Sequence, residues 1–240
     1  TSQNFTELTA KVIAHELGHL MGLRHGDAYG PIGSGISVIP GSAAYLPAYP
    51  GPTSASESNN HIMASPASTG ETLFDAIDNQ YFGARSAVKL AFATFQGQVL
   101  QEQFGTHGAV NTAQPVTLAS LTVPNTELTG SLAGLEFDVE ATVVTGALAV
   151  AGEVDVYAFN ATAGEVLNIE VLSSILAASP APRIFNSFDT MVTVMDATGT
   201  AIPYYNGTAT NDDEFESTDS ILIDLIIPVD GTYYIQVESF

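Results

Sequence analysis

The 240-residue sequence has no cysteine, no tryptophan and only five lysines and arginines. Without cysteine there can be no disulfide, no thiol nucleophile and no Cys-ligated metal. Five cations against 26 acidic side chains leave a formal net charge of −21. That excludes the phosphate-neutralising electrostatics of a nucleic-acid binder and disfavours docking on an anionic membrane surface. No apolar run approaches the ~18 residues of a transmembrane helix. Residues 1–10 also lack the basic-then-apolar order of a signal peptide. Chemistry must therefore come from His, Asp, Glu, Ser or Tyr. The chain is long enough to bury a real core as one large domain or two ordinary ones. With charged residues at only 13%, disorder is not expected.

Two periodicities divide what remains. From Asn4, the apolar residues Leu8, Val12, Ile13, Leu17, Leu20 and Met21 recur at helical spacing. Asn4 with Glu7 fits a capping box, which places the helix start there, and Gly22 is a natural stop. Residues 26–70 are rich in Gly, Pro, Ser and Asn, as in Gly30-Pro31-Ile32-Gly33 and Pro47-Ala48-Tyr49-Pro50. They read as one long loop, either functional or flexible. Helical spacing returns over Arg85 to Leu100. Beyond about residue 112 the period becomes two. Strands are expected at Glu153–Phe159, Glu165–Val171, Met191–Met195, Ile221–Ile227 and Thr232–Val237, with turn signals at Ala163-Gly164, Thr198-Gly199, Asn206-Gly207 and Asp230-Gly231. Short strands with regular turns make a β-sandwich. The expected layout is α+β with two domains: a mainly helical part (1–105), a linker with a first strand (106–130), and an all-β, jelly-roll-like sandwich (131–240).

Three of the five histidines fall within His15-Glu16-Leu17-Gly18-His19-Leu20-Met21-Gly22-Leu23-Arg24-His25. On a helix, His15 and His19 project from one face a turn apart, close enough to share an ion. A chain that turns at Gly22 can bring His25 in as a third nitrogen ligand. Three imidazoles leave a tetrahedral Zn²⁺ with one open position, the layout of a catalytic site. Glu16 sits ~100° round the helix from His15. It flanks the ion instead of binding it, and can take a proton from zinc-activated water and pass it to a leaving amine. Asp27 reads as an anchor for the turn after His25. His61 reads as a solvated loop histidine, and His107 as a linker histidine without an identifiable partner.

This segment resembles the metzincin clan of zinc endopeptidases, whose signature is H-E-x-x-H-x-x-G-x-x-H followed by a Met-turn. Leu17-Gly18 and Leu20-Met21-Gly22-Leu23 look most like the matrixin branch, although Gly26-Asp27 follows the third histidine where matrixins usually carry Ser. The resemblance implies a protein or peptide substrate, and a Met-turn at Met63 within Asn60-His61-Ile62-Met63-Ala64-Ser65-Pro66. Met21, inside the motif helix, is the rival. Ser65, two residues after Met63, implies no tyrosine ligand. The segment Phe82–Phe92 would be the packing helix that closes the C-terminal half of such a domain. The clan places a twisted sheet and a helix before the motif helix, whereas about ten residues precede it here. The expectation is a fragment of a longer protein or a reduced fold.

The second half resembles the bacterial pre-peptidase C-terminal domain in Gly152-Glu153-Val154-Asp155-Val156-Tyr157-Ala158-Phe159, in Ala163-Gly164-Glu165-Val166-Leu167, and in Val229-Asp230-Gly231-Thr232-Tyr233-Tyr234-Ile235. The resemblance implies a secreted bacterial protein, located at the cell surface or in the medium, and a sandwich that anchors, binds a matrix or is removed on maturation. An alternative function follows: a secreted surface- or matrix-binding protein that works through the sandwich, with a structural or vestigial zinc site. The acidic run Asn211-Asp212-Asp213-Glu214-Phe215-Glu216 with Asp219 is either a solvated loop or an oxygen-rich Ca²⁺ site.

Overall fold

A computed structural model describes residues 2–28, 61–64, 81–105, 107–125, 134–150, 152–173, 189–205, 207–212 and 219–240. Helix α1 (Ser2–Leu20) begins two residues before the expected cap. It ends where the sequence requires, in a Schellman turn: Leu23 N donates to Gly18 O at 3.0 Å and Gly22 N to His19 O at 3.1 Å. Gly22 occupies the left-handed region at φ +92°, which a side chain would disfavour. The apolar stripe of α1 is not core. Ile13, Leu17 and Leu20 are more than half exposed, and among the described side chains of this helix only Gly18 is buried.

Helix α2 (Ala84–Ala93) is shorter than its periodicity suggests. Phe95 adopts φ +62°, Gly97 follows, and the chain re-emerges as strand β1 (Gln98–Gln101). The faces of α2 serve three neighbours. Ala87 and Ala91 pack on β3 (Ala119–Pro124) and β4 (Glu136–Thr145) through Leu121, Val123, Phe137, Val139 and Ala141. Leu90 joins Leu23, Ala28, Met63, Ala64 and Phe82 in a small core beneath α1. Arg85 and Lys89, one helical turn apart, reach the sandwich. β1 pairs with β4 in parallel and β3 with β4 antiparallel, giving the order β1-β4-β3.

The expected sandwich is present. Its larger sheet has the order β10-β7-β12-β5-β2, built from β2 (Gln114–Pro115), β5 (Val154–Ala161), β7 (Thr190–Met195), β10 (Thr210–Asn211) and β12 (Gly231–Ser239). Opposite it, β6 (Val166–Val171) pairs antiparallel with β11 (Ser220–Ile226). A hairpin of β8 (Pro203–Tyr204) and β9 (Gly207–Thr208) lies at the side. Alternation along β5, β7, β11 and β12 directs Phe159, Val192, Val194, Leu222, Leu225 and Tyr233 into one buried cluster between the layers. The register of β11 shifts between Leu222 and Leu225. Asp224 sits in that shift at φ +53°, a bulge that turns its carboxylate out of the ladder.

That carboxylate meets the helical part. Arg85 Nη2 lies 3.2 Å from Asp224 Oδ2, and Arg85 Nη1 donates to Asn168 Oδ1 at 2.7 Å. Arg24 Nη2 donates to Asp219 Oδ2 at 2.6 Å, and Lys89 Nζ lies 2.6 Å from Glu170 Oε2 and 2.9 Å from Asp27 Oδ1. Three of the chain's five basic side chains thus fasten the helices to β6, β11 and the residue before β11. Burial alone would push the Lys89 ammonium down, but Asp27 and Glu170 outweigh it and hold its pKa above the ordinary lysine range.

Candidate metal centre

The helical period places His15 and His19 on one side of α1, and the Schellman turn supplies the third residue. After Gly22 reverses the chain, Leu23 O accepts from His19 Nδ1 at 2.9 Å. A 3-10 turn, His25–Ala28, then returns His25 to the helix. Asp27 fixes that turn: its Oδ2 accepts Arg24 N at 2.7 Å, and Lys89 neutralises the charge. The three Nε2 atoms converge, at 3.1 Å for His15–His25, 3.1 Å for His15–His19 and 3.2 Å for His19–His25. Zn–N bonds of ~2.0–2.1 Å at the tetrahedral angle put ligand nitrogens ~3.3 Å apart. The triangle fits one small divalent ion.

The far side of each ring decides which nitrogen faces inward. His15 Nδ1 lies 2.7 Å from Ile62 O and His19 Nδ1 is held by Leu23 O. A carbonyl can only accept, so both rings carry their proton on Nδ1 and present the Nε2 lone pair to the centre. Burial, helped by the neighbouring imidazoles His19 and His25 and opposed by the Ile62 hydrogen bond, lowers the His15 pKa. That keeps the ring neutral, as a ligand must be. Glu16 is exposed on the helix beside this triangle.

Residues 2–79 match the family model of the dual-action HEIGH metallo-peptidases. The match supports a zinc metallopeptidase; the family name spells H-E-I-G-H, and this chain carries His15-Glu16-Leu17-Gly18-His19, with leucine in place of the isoleucine. Residues 153–239 match the bacterial pre-peptidase C-terminal domain, a domain found in secreted bacterial proteases. No curated protein matches the chain. Among the described residues, no helix is long and apolar enough to cross a membrane.

The floor beneath the histidine triangle is the short segment His61–Ala64. Met63 is fully buried under α1. A Cβ at Gly18 would stand 2.5 Å from its sulfur, so the glycine inside the motif makes room for this thioether. Ile62 supplies the carbonyl for His15, and Ile62 N donates to Tyr81 O at 2.7 Å. His61, expected to be solvated, is buried instead. Its Nδ1 donates to Ala28 O at 2.6 Å and its ring meets Tyr81 edge-on. Gly83 is the matching vacancy, since a Cβ there would lie 2.7–3.0 Å from three ring atoms of His61. His61 therefore braces the turn after His25 against the strip that orients His15. The only sequence signal for this was its place two residues before Met63.

Of the loop expected at 26–70, residues 29–60 and 65–70 lie outside the described residues, Ser65 included. The same holds for 213–218 of the acidic run. Asp219 is committed to protein partners: Oδ2 to Arg24, and Oδ1 to Ser173 N at 2.7 Å and Ser173 Oγ at 2.8 Å. His107, read as a linker residue without a partner, is 2% exposed and lies between Glu102 and Asp155. Burial and the Glu102 charge push Asp155 up to about 6, against the pull of His107.

Proposed function

We propose that the chain is a metzincin-type zinc endopeptidase acting on proteins or peptides outside the cell. In this reading His15, His19 and His25 hold the zinc, Glu16 is the general base, and Met63 is the methionine beneath the site. Residues 1–105 form the zinc-binding part and 131–240 the sandwich. The observation that carries the reading is the Nε2 triangle with the His15 and His19 rings locked by backbone carbonyls. A ligand set whose rings are oriented by backbone carbonyls suits tight, specific binding.

Bound there, zinc supplies a Lewis acid that polarises a scissile carbonyl and draws the pKa of water towards ~7. The protein's own part is proton transfer and positioning. Glu16 is exposed and is not one of the converging ligands, so its carboxylate is free to take the proton of the attacking water. It then returns that proton to the leaving nitrogen. Leu23 O and Ile62 O keep His19 and His15 from rotating as charge develops.

The test is turnover of a quenched peptide or casein by the zinc-loaded chain. Glu16→Ala should retain one zinc at this centre while losing ~10²–10⁴-fold in kcat, and a chelator should abolish the activity reversibly. Turnover indifferent to both would overturn the reading.

A further inference from the structure

A second cluster of ligand-type side chains lies away from the histidine triangle. Glu102 follows β1, with its N–H on Thr145 O at 3.0 Å. His107 sits in the segment between β1 and β2, with its carbonyl accepting Val156 N at 2.8 Å. Asp155 lies on β5. All three are at least 95% buried, and one atom from each lies within 4.8 Å of the others.

Glu102 Oε2 accepts Ala147 N at 2.6 Å, but three other buried polar atoms here are unsatisfied. Glu102 Oε1 and both ring nitrogens of His107 have no hydrogen-bond partner. His107 Nε2 faces both carboxylates, at 3.4 Å from Asp155 Oδ1 and 3.9 Å from Glu102 Oε1. Each distance exceeds the 2.7–3.2 Å of an N–H···O bond, and a proton on Nε2 would draw one oxygen inside that range. The 3.4 Å between His107 and Asp155 matches two ligands ~2.1 Å from one centre at the tetrahedral angle, and Glu102 Oε1, at 3.9 Å from the same nitrogen, would close on that ion by a small side-chain shift. Charge points the same way. Two buried carboxylates need two compensating charges, and an imidazolium supplies one.

We propose that Glu102, His107 and Asp155 bind a divalent transition-metal ion that pins the β1–β2 connection to the sandwich. One imidazole and two carboxylates suit Zn²⁺ or Mn²⁺, whereas Ca²⁺ takes six to eight oxygens. The site is closed and buried, so its role is structural. It joins the edge of the three-stranded sheet, after β1, to β5 of the five-stranded sheet.

The experiment uses the full chain, stripped with a chelator and reloaded with Zn²⁺, with metal counted by plasma mass spectrometry and the thermal midpoint recorded. The wild type should hold two equivalents, and His15→Ala/His19→Ala should keep one. Adding His107→Gln to that double variant should remove the last equivalent and abolish the zinc-dependent rise in midpoint. In case His107→Gln fails to fold, Asp155→Asn in the same background gives the same readout with an isosteric side chain. One equivalent in the wild type, with none left in His15→Ala/His19→Ala, would overturn the proposal. So would two equivalents surviving His107→Gln and Asp155→Asn.

Discussion

Replacing Lys89 by methionine keeps the stem that packs along α2 but removes the ammonium between Asp27 and Glu170. Both carboxylates are left inside the interface. Breaking a fully buried pair costs about 3–5 kcal/mol, because the abandoned charge stays desolvated. The Lys89 and Glu170 side chains are 21% and 17% exposed, so water recovers part of that cost, while Asp27 at 6% recovers little. We expect about 3 kcal/mol, read from urea unfolding at pH 7 as a lower midpoint at unchanged slope. Lys89→Met/Glu170→Gln should cost at least ~1 kcal/mol less than the two single changes added together. A Lys89→Met chain within ~0.5 kcal/mol of wild type, as for an exposed ion pair, would refute the reading of this interface as buried and electrostatic.

The same variant has a signed pH dependence. Burial raises Glu170 above the ordinary carboxylate range while Lys89 opposes the rise, so Lys89→Met should raise it further. A carboxylate with a raised folded-state pKa costs nothing below its unfolded value of ~4.3 and costs most above its folded value. The Lys89→Met deficit in melting temperature should therefore shrink on acidification towards pH ~4. For wild type, the raised Lys89 pKa means that its stabilisation is complete below ~10.4 and is lost as pH climbs through the folded value. A thermal scan across alkaline pH checks this against Lys89→Met. Gly18→Ala should cost about 1–3 kcal/mol by overpacking Met63, seen as a lower melting temperature. Met63→Leu in that background should leave more room at the Cβ and recover part of the loss. Gly83→Ala should displace His61 and, through Ile62, tilt His15, weakening zinc ~10-fold or more in a competition titration with a chromogenic chelator. Unchanged affinity would separate His61 from the metal site.

The convergence of the three histidines was legible because its geometry is local. Helical spacing sets His15 against His19, and one glycine with a positive φ turns the chain for His25. The strands of the sandwich were legible for the same reason, as alternation survives in short windows. What escaped reading joins distant positions. Nothing near Arg85 in sequence announces Asp224, which reaches it only through a register shift in β11. Likewise His107 looks isolated until Glu102 and Asp155 close around it from two different sheets. The exposure of the α1 stripe is not readable from the sequence, because periodicity records which residues share a face and not whether anything covers it. The helical spacing over 85–100 overstates α2, because Phe95 continues the apolar pattern while its backbone, at φ +62°, breaks the helix.

The rationing of positive charge has a consequence for any cut between the halves. Arg24, Arg85 and Lys89 are clasped by acids on the far side of the junction, so a single cut in the polypeptide between the halves would nick the molecule without parting it. Physical release would mean rehydrating three cations and their counter-charges together. The half that was left would face solvent with bare guanidinium groups, one of them on Arg24, the immediate neighbour of His25.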